Sequence, residues 1–187
     1  MEIYPHSAKT FIREARDALE RIKNGKDMDD LQRALLSFLN AAKHSIHQLK
    51  VDFKNLPGFE EWYAPQKNFL KNDKICIYFW KLRNEVTKAG KKIIVANGIT
   101  FSNTSGHDIH IPGPVILGPS VGVLVKTPKG NAYEWTPRKD IVSKTTWKFS
   151  DYPEGYSETS DPIELCEKYL QSLDTIIDSF IGVFGGS

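Results

Sequence analysis

The residues of this sequence that could do chemistry are mostly basic, and they surround the segment DKICIYFWKLRNEVTKAG over residues 73–90. Arg83 and Asn84 lie near the end of that segment. Such a cluster is either a solvated basic face or a surface that binds the phosphates of a nucleic acid, which lysine can hold as a point charge. The lysines in or beside the segment are Lys67, Lys71, Lys74, Lys81, Lys88, Lys91 and Lys92.

Arg83 has a second interpretation. On a helical wheel it lies at the edge of an apolar stripe, close to the end of the predicted helix. A cation at that place interacts favourably with the helix dipole. We therefore keep open that Arg83 is a surface cation, or that it pairs with Asp174 or Asp178 of the last predicted helix.

Two pairs of histidines invite a metal interpretation. His44 and His47 are three residues apart on a predicted helix, whereas a helical metal pair is usually four apart, and no third ligand is near in the sequence. We interpret them as surface histidines, with a partner or nucleic-acid face as the alternative. His107 and His110 would point to opposite faces of a strand, although a loop could bring them together. No metal site and no cofactor is predicted.

Hydrophobic periodicity predicts the elements that position these side chains. Apolar residues recur with helical spacing over about 7–24, 28–54, 73–90 and 162–184, whereas residues 92–150 alternate like strands. The aromatic residues 59–63 are predicted as a short helix or turn, and the third helix begins either at Pro65 or at Asp73. The last amphipathic helix must bury its stripe against the earlier helices. We predict an α+β fold, a four-helix bundle with a small antiparallel β-sheet inserted between the third and fourth helices. It forms one domain over 1–187, with the bundle at 5–90 and 160–184 and the insertion at 92–150.

Composition narrows the setting of the protein. The chain has 187 residues, a net charge of +2 and only two cysteines, both on predicted apolar helix faces. A disulfide framework is therefore not expected, and a reducing compartment fits. The N-terminus lacks the apolar core of a signal peptide, and no apolar run reaches the roughly 18 residues of a membrane span. We expect a cytoplasmic protein without a membrane partner.

The phrase FWKLRNEVTKAG resembles the end of the third helix in the HEPN superfamily of helical bundles, and SFLNAAKHSIHQL resembles its second helix. The resemblance covers roughly 5–90 and 160–184. Members with LRN and a histidine four to six residues beyond the arginine are typically metal-independent ribonucleases, or toxins and defence factors. They commonly act as dimers in which two arginine–histidine pairs face one cleft. The resemblance implies that Arg83 and Asn84 occupy the catalytic position.

The sequence departs from that pattern where the histidine is expected. Positions 88, 89 and 90 carry Lys88, Ala89 and Gly90. Cleavage needs a group that exchanges a proton near neutral pH, and lysine keeps its proton there unless it is strongly desolvated. The resemblance thus implies a non-catalytic, homodimeric module that binds RNA or a protein partner, in a defence or toxin–antitoxin setting.

Two alternatives stay open for the function. One is a metal-independent ribonuclease in which His44 or His47 replaces the missing histidine. The other is a protein-interaction protein that works through the β insertion, because exposed strand edges recruit other chains. Cleavage abolished by Arg83→Ala would favour the first, and loss of partner binding on deletion of 92–150 would favour the second.

Overall fold

The computed structural model describes the backbone of residues 3–25, 28–89, 94–103, 108–112, 122–126, 133–137, 141–157 and 160–186. Side chains are described at 3–25, 28–88, 94, 147–157 and 160–186. The helices in these ranges are α1 (His6–Lys23), α2 (Met28–Phe53), α3 (Phe59–Asn72), α4 (Lys74–Ala89) and α5 (Pro162–Phe184). The strands are β1 (Ile94–Asn103), β2 (Asp108–Pro112), β3 (Gly122–Lys126), β4 (Tyr133–Pro137) and β5 (Ile141–Phe149).

The chain folds into two compact units. One comprises Met1–Ile94 and Phe149–Ser187, and the other comprises Val95–Lys148. The strands belong mainly to the second unit, where β1 lies between β2 and β5, and β3 pairs separately with β4. The β1–β2 ladder is antiparallel and places Ile99 opposite Ile111. The five helices of the described ranges lie in the first unit, and so do the candidate site residues whose side chains are described. The single-domain assignment stays a prediction.

The predicted fold class, a four-helix bundle with a small antiparallel sheet, is wrong. Among the residues whose side chains are described, 78% lie in the five helices. This set contains one lone strand segment and no sheet. The additional helix is α3, which continues through Pro65. Pro65 is exposed, so water can satisfy the carbonyl that loses its helical partner. Asp73 is extended and accepts a hydrogen bond from the backbone N–H of Cys76 at 2.8 Å, which separates α3 from α4.

The core of the helical unit is aromatic where α2, α4 and α5 meet. The ring of Phe79 stacks on Tyr169 with centroids 4.8 Å apart, and both rings meet the edge of Phe38. Phe149 packs edge-to-face on Phe79, and the hydroxyl of Tyr78 donates a hydrogen bond to the carbonyl of Asp151 at 2.7 Å. The segment that precedes α5 is thereby fixed against α4.

The helix α3 covers one end of this core. Phe59 and Trp62 pack against Phe180, and the indole N–H of Trp62 donates a hydrogen bond to the hydroxyl of Ser179 at 3.1 Å. The aromatic segment FEEWY is thus anchored on α5, and the rest of α3 lies beside α4. In the part of the chain that the structure describes, no helix combines the length and apolar character that a membrane crossing needs.

The turn that leads into α3 depends on Gly58, whose φ is +80°. A Cβ there would meet only ordinary contact with Phe184, so strain rather than a clash opposes substitution. We expect Gly58→Ala to lower the free energy of unfolding by about 1–2 kcal/mol in urea denaturation, the cost of left-handed backbone for an L residue. Gly182→Ala, inside α5 with open space around it, is the matched control and should stabilise by about 0.5–1 kcal/mol. Equal effects of the two substitutions would contradict this account.

Candidate functional site

A groove of about 470 Å³ opens between α2, α3 and α4. We call it the lysine-rimmed groove. Its floor is predominantly apolar, because it is formed by side chains from the buried stripes of α2, α4 and α5. The floor residues include Ala42, Ile46, Ile77, Tyr169 and Leu173.

The rim of the groove carries the charge. Two lysines come from α2, two from α3 and one from α4: Lys43, Lys50, Lys67, Lys71 and Lys81. Trp80 stands beside them and is 56% exposed, unusual for so large an apolar side chain. The ammonium of Lys50 lies 6.0 Å from the ring centroid of Tyr63, a cation–π distance. The arrangement joins an apolar interior to a positively charged mouth.

Arg83 lies beside the groove and is half-buried. Its Nε donates a hydrogen bond to Oδ1 of Asn40 at 3.2 Å, and Nη1 donates to Oδ1 of the adjacent Asn84 at 3.4 Å. Burial, together with the positive charges of Arg83 and Lys88, lowers the pKa of Lys43. We call Lys43, Arg83 and Lys88 the Arg83 cluster. Across the described ranges, none of its three cations has a carboxylate within ion-pair distance.

The ion pair predicted between Arg83 and the last helix is not formed. Asp174 pairs with Arg16, and Asp178 pairs with Lys9 at 2.6 Å. The acidic face of α5 therefore meets α1 rather than α4. As a result, the acidic side chains of α5 do not neutralise the positive charge around Arg83.

His44 and His47 point to different neighbours. His44 packs against the ring of Phe11 on α1 with centroids 5.5 Å apart, whereas His47 lines the lysine-rimmed groove. Both side chains are exposed. Among the residues that the structure describes, no three His, Cys, Asp or Glu side chains are grouped to hold a metal ion. No hydrogen bond joins either histidine to Arg83 within the same set.

The structure divides the predicted basic cluster. Lys67, Lys71 and Lys81 line the groove, and Lys88 belongs to the Arg83 cluster. The ammonium of Lys74 instead lies 3.3 Å from the carboxylate of Glu154. Predictions that fall outside the described residues or side chains concern Lys91, Lys92, His107 and His110.

Sequence reasoning missed the contribution of α2. Lys43, His47 and Lys50 recur at spacings of four and three, which places them on one side of a helix. This spacing is the signal in the sequence that identifies one side of α2 as basic. Trp80 was missed as well, because an aromatic residue in a largely apolar helix is usually part of the core.

Buried thiols lie close to this region. Cys76 lines the groove but is only 3% exposed, and Cys166 is fully buried on α5. Burial raises the pKa of both thiols, and nearby carboxylates add to the effect. Because the thiolate is the reactive form, neither cysteine is placed to act as a nucleophile.

Comparisons of this chain with known proteins identified no relative. No protein-family model matches the chain, no curated protein is similar to it, and no solved structure resembles its fold.

Proposed function

We propose that this protein is a non-catalytic, HEPN-like module that binds single-stranded RNA by its phosphates. The observation that carries the proposal is the Arg83 cluster. A guanidinium held by two asparagine oxygens keeps its remaining N–H donors in a fixed direction, as phosphate recognition requires. Lys43 and Lys88 add charge at the same place.

The proposal favours binding over cleavage for a chemical reason. Cleavage of RNA through its 2′-hydroxyl needs an acid–base group beside the arginine. Lys88 is exposed, whereas a lysine that serves as a base needs a desolvated site. His44 packs on Phe11 and His47 faces the groove, so neither is hydrogen-bonded to Arg83 in the described part of the chain. We therefore assign the Arg83 cluster to the binding of an anion and not to cleavage.

Arg83→Ala should weaken the binding of a labelled, mixed-sequence single-stranded RNA by about tenfold at low salt, the value of one charge-assisted hydrogen bond. The plot of log K against log salt concentration should also become less steep, its negative slope shrinking in magnitude by about 0.7, because one phosphate contact is lost. The measurement is fluorescence anisotropy in EDTA, with the same samples run on a gel to detect cleavage.

Lys54→Ala is the matched control, because Lys54 is an exposed lysine that belongs to neither the groove nor the Arg83 cluster. It should leave affinity and salt slope nearly unchanged. Equal losses in the two variants would mean diffuse charge rather than a site. RNA cleavage by the natural sequence, abolished in Arg83→Ala, would replace the proposal with a ribonuclease that lacks the usual histidine.

The proposal includes self-association, because the resembled superfamily commonly places two arginine sites across one cleft. Light scattering at several protein concentrations tests it. A homodimer should bind RNA with a stoichiometry of one strand per two chains. If the protein binds RNA as a monomer, the phosphate site is supported and the proposed dimer is excluded. If no RNA binds at low salt, the Arg83 cluster is better explained by a protein partner.

A further inference from the structure

Phosphate binding by the Arg83 cluster does not account for the lysine-rimmed groove. An RNA backbone needs surface cations, and an apolar floor adds nothing to the binding of its phosphates. We propose that the groove is a separate binding site for a small amphipathic anion. The ligand has an aliphatic or aromatic body that lies on the floor, and a carboxylate-type head that lies among the rim lysines.

The floor defines the body of the ligand. Ile46, Ile77 and Leu173 present methyl groups to a cavity of about 470 Å³, within the range of small-molecule sites in proteins. Removing apolar surface from water is the main driving force that such a floor can supply. A nucleobase would leave its polar edges against these side chains without hydrogen-bond partners, which is costly. Hydrocarbon or an unsubstituted ring fits the chemistry.

The rim defines the head group. Lys67 and Lys71 lie one turn apart on α3, a spacing at which like charges repel each other. Lys43 and Lys81 lie on the other walls, and burial, together with the charges of Arg83 and Lys88, lowers the pKa of Lys43. No carboxylate of the described residues pairs with these four lysines. A bound anion would remove this repulsion, so charge complementarity selects a negatively charged head.

The shape of the groove favours a free small molecule. Its floor includes the almost fully buried Ala42 and Leu173, whereas a membrane-binding surface projects its apolar side chains outward. The mouth is flanked by the exposed Trp80, whose ring can cover part of the ligand body. The volume suits one chain or one fused ring system.

Saturated carboxylates of increasing length are the probes. Each competes with the fluorescent anion anilinonaphthalene sulfonate, at concentrations where no micelles form. We expect affinity to rise about fourfold per added methylene over medium chain lengths, the value for burying a CH₂ group. Acetate and inorganic phosphate should not compete, and dodecanol should compete at least about tenfold less well than dodecanoate. Affinity independent of chain length, or equal competition by dodecanol, would overturn the proposal.

Two variants locate the site. Lys71→Glu should weaken dodecanoate binding about tenfold or more, whereas Lys54→Glu, the same charge reversal outside the groove, should not. Ile77→Asp places a negative charge on the floor and should abolish binding. Circular dichroism and urea denaturation establish that each variant is folded. Because Lys71 is exposed, its variant gives a clear result even if Ile77→Asp does not fold. Equal affinities for Lys71→Glu and Lys54→Glu would overturn the assignment.

The two proposed sites share only Lys43, so they can be tested separately. Dodecanoate should bind to Arg83→Ala with less than about a threefold change in affinity, because Arg83 does not line the groove and acts on it only through the charge of the shared Lys43. A chain that binds no RNA but binds dodecanoate with the expected length dependence would remove the proposed function and leave the groove assignment intact. Loss of dodecanoate binding in Arg83→Ala, with the fold preserved, would overturn the separation of the two sites.

Discussion

Replacement of Phe79 by alanine is expected to lower the free energy of unfolding by about 3–5 kcal/mol. Phe79 is 1% exposed and contacts aromatic rings from three directions, namely Phe38 on α2, Tyr169 on α5 and Phe149. Loss of the ring removes its burial and leaves a cavity whose walls belong to separate elements. Such a cavity cannot collapse without moving a helix, so we expect the upper part of the range.

Urea denaturation of Phe79→Ala measures this effect, and Trp80→Ala is the matched control. Trp80 is the next residue on α4 but is 56% exposed, so its removal should change stability by only about 0.5 kcal/mol. The pair separates an aromatic ring that holds helices together from one that stands at the mouth of the groove. Similar losses in the two variants would contradict the placement of the core on this side of α4.

The helices with long apolar stripes could be predicted closely. The predicted segments 7–24, 28–54 and 162–184 correspond to His6–Lys23, Met28–Phe53 and Pro162–Phe184. Their periodic patterns run unbroken for several turns, and tertiary packing only had to supply a partner. The start of α5 also follows from local chemistry, because the Asp161 side chain accepts a hydrogen bond from the N–H of Ile163 at 2.8 Å and Pro162 takes the first helical position.

The continuous length of α3 could not be predicted in the same way. It buries only Phe59 and Tyr63, so it carries no apolar stripe of its own, and it contains a proline. What holds it is a set of aromatic contacts to Phe180 and Phe184 on α5, more than a hundred residues later in the chain. The local sequence pattern does not indicate such a distant contact. The sequence therefore predicts a bundle of four helices.

The candidate site shows the same division between local and tertiary information. Arg83 and the lysines of α4 were predicted because they lie in one segment. Asn40, which accepts the hydrogen bond from Arg83, lies 43 residues earlier. Likewise, the groove exists only because α2, α3 and α4 bring Lys43, Lys67 and Lys81 to one opening. A sequence can identify the charged helix, but packing decides which charges share a site.

Stability should fall steeply above about pH 8. Burial raises the pKa of the Cys76 and Cys166 thiols in the folded protein, whereas an unfolded cysteine ionises near about pH 8.5. Between these values the folded state binds more protons than the unfolded state, so the free energy of unfolding decreases as pH rises. Each thiol contributes a loss of about 2 kcal/mol between pH 8 and pH 10, or about 4 kcal/mol in total.

The test compares urea unfolding of the natural chain and of the double variant Cys76→Ala/Cys166→Ala across this pH range. The double variant is less stable at pH 8, because two small cavities are created, but its stability should change by about 4 kcal/mol less as pH rises. Exposed lysine ion pairs, such as that of Lys23 with Glu167, weaken equally in both proteins and cancel in the comparison. Burial also raises the pKa of Tyr78 and Tyr169, which adds to the loss only above about pH 10. Parallel pH profiles for the two proteins would mean that the thiols ionise freely in the folded state, and α4 and α5 would then not meet where Cys76 and Cys166 are buried.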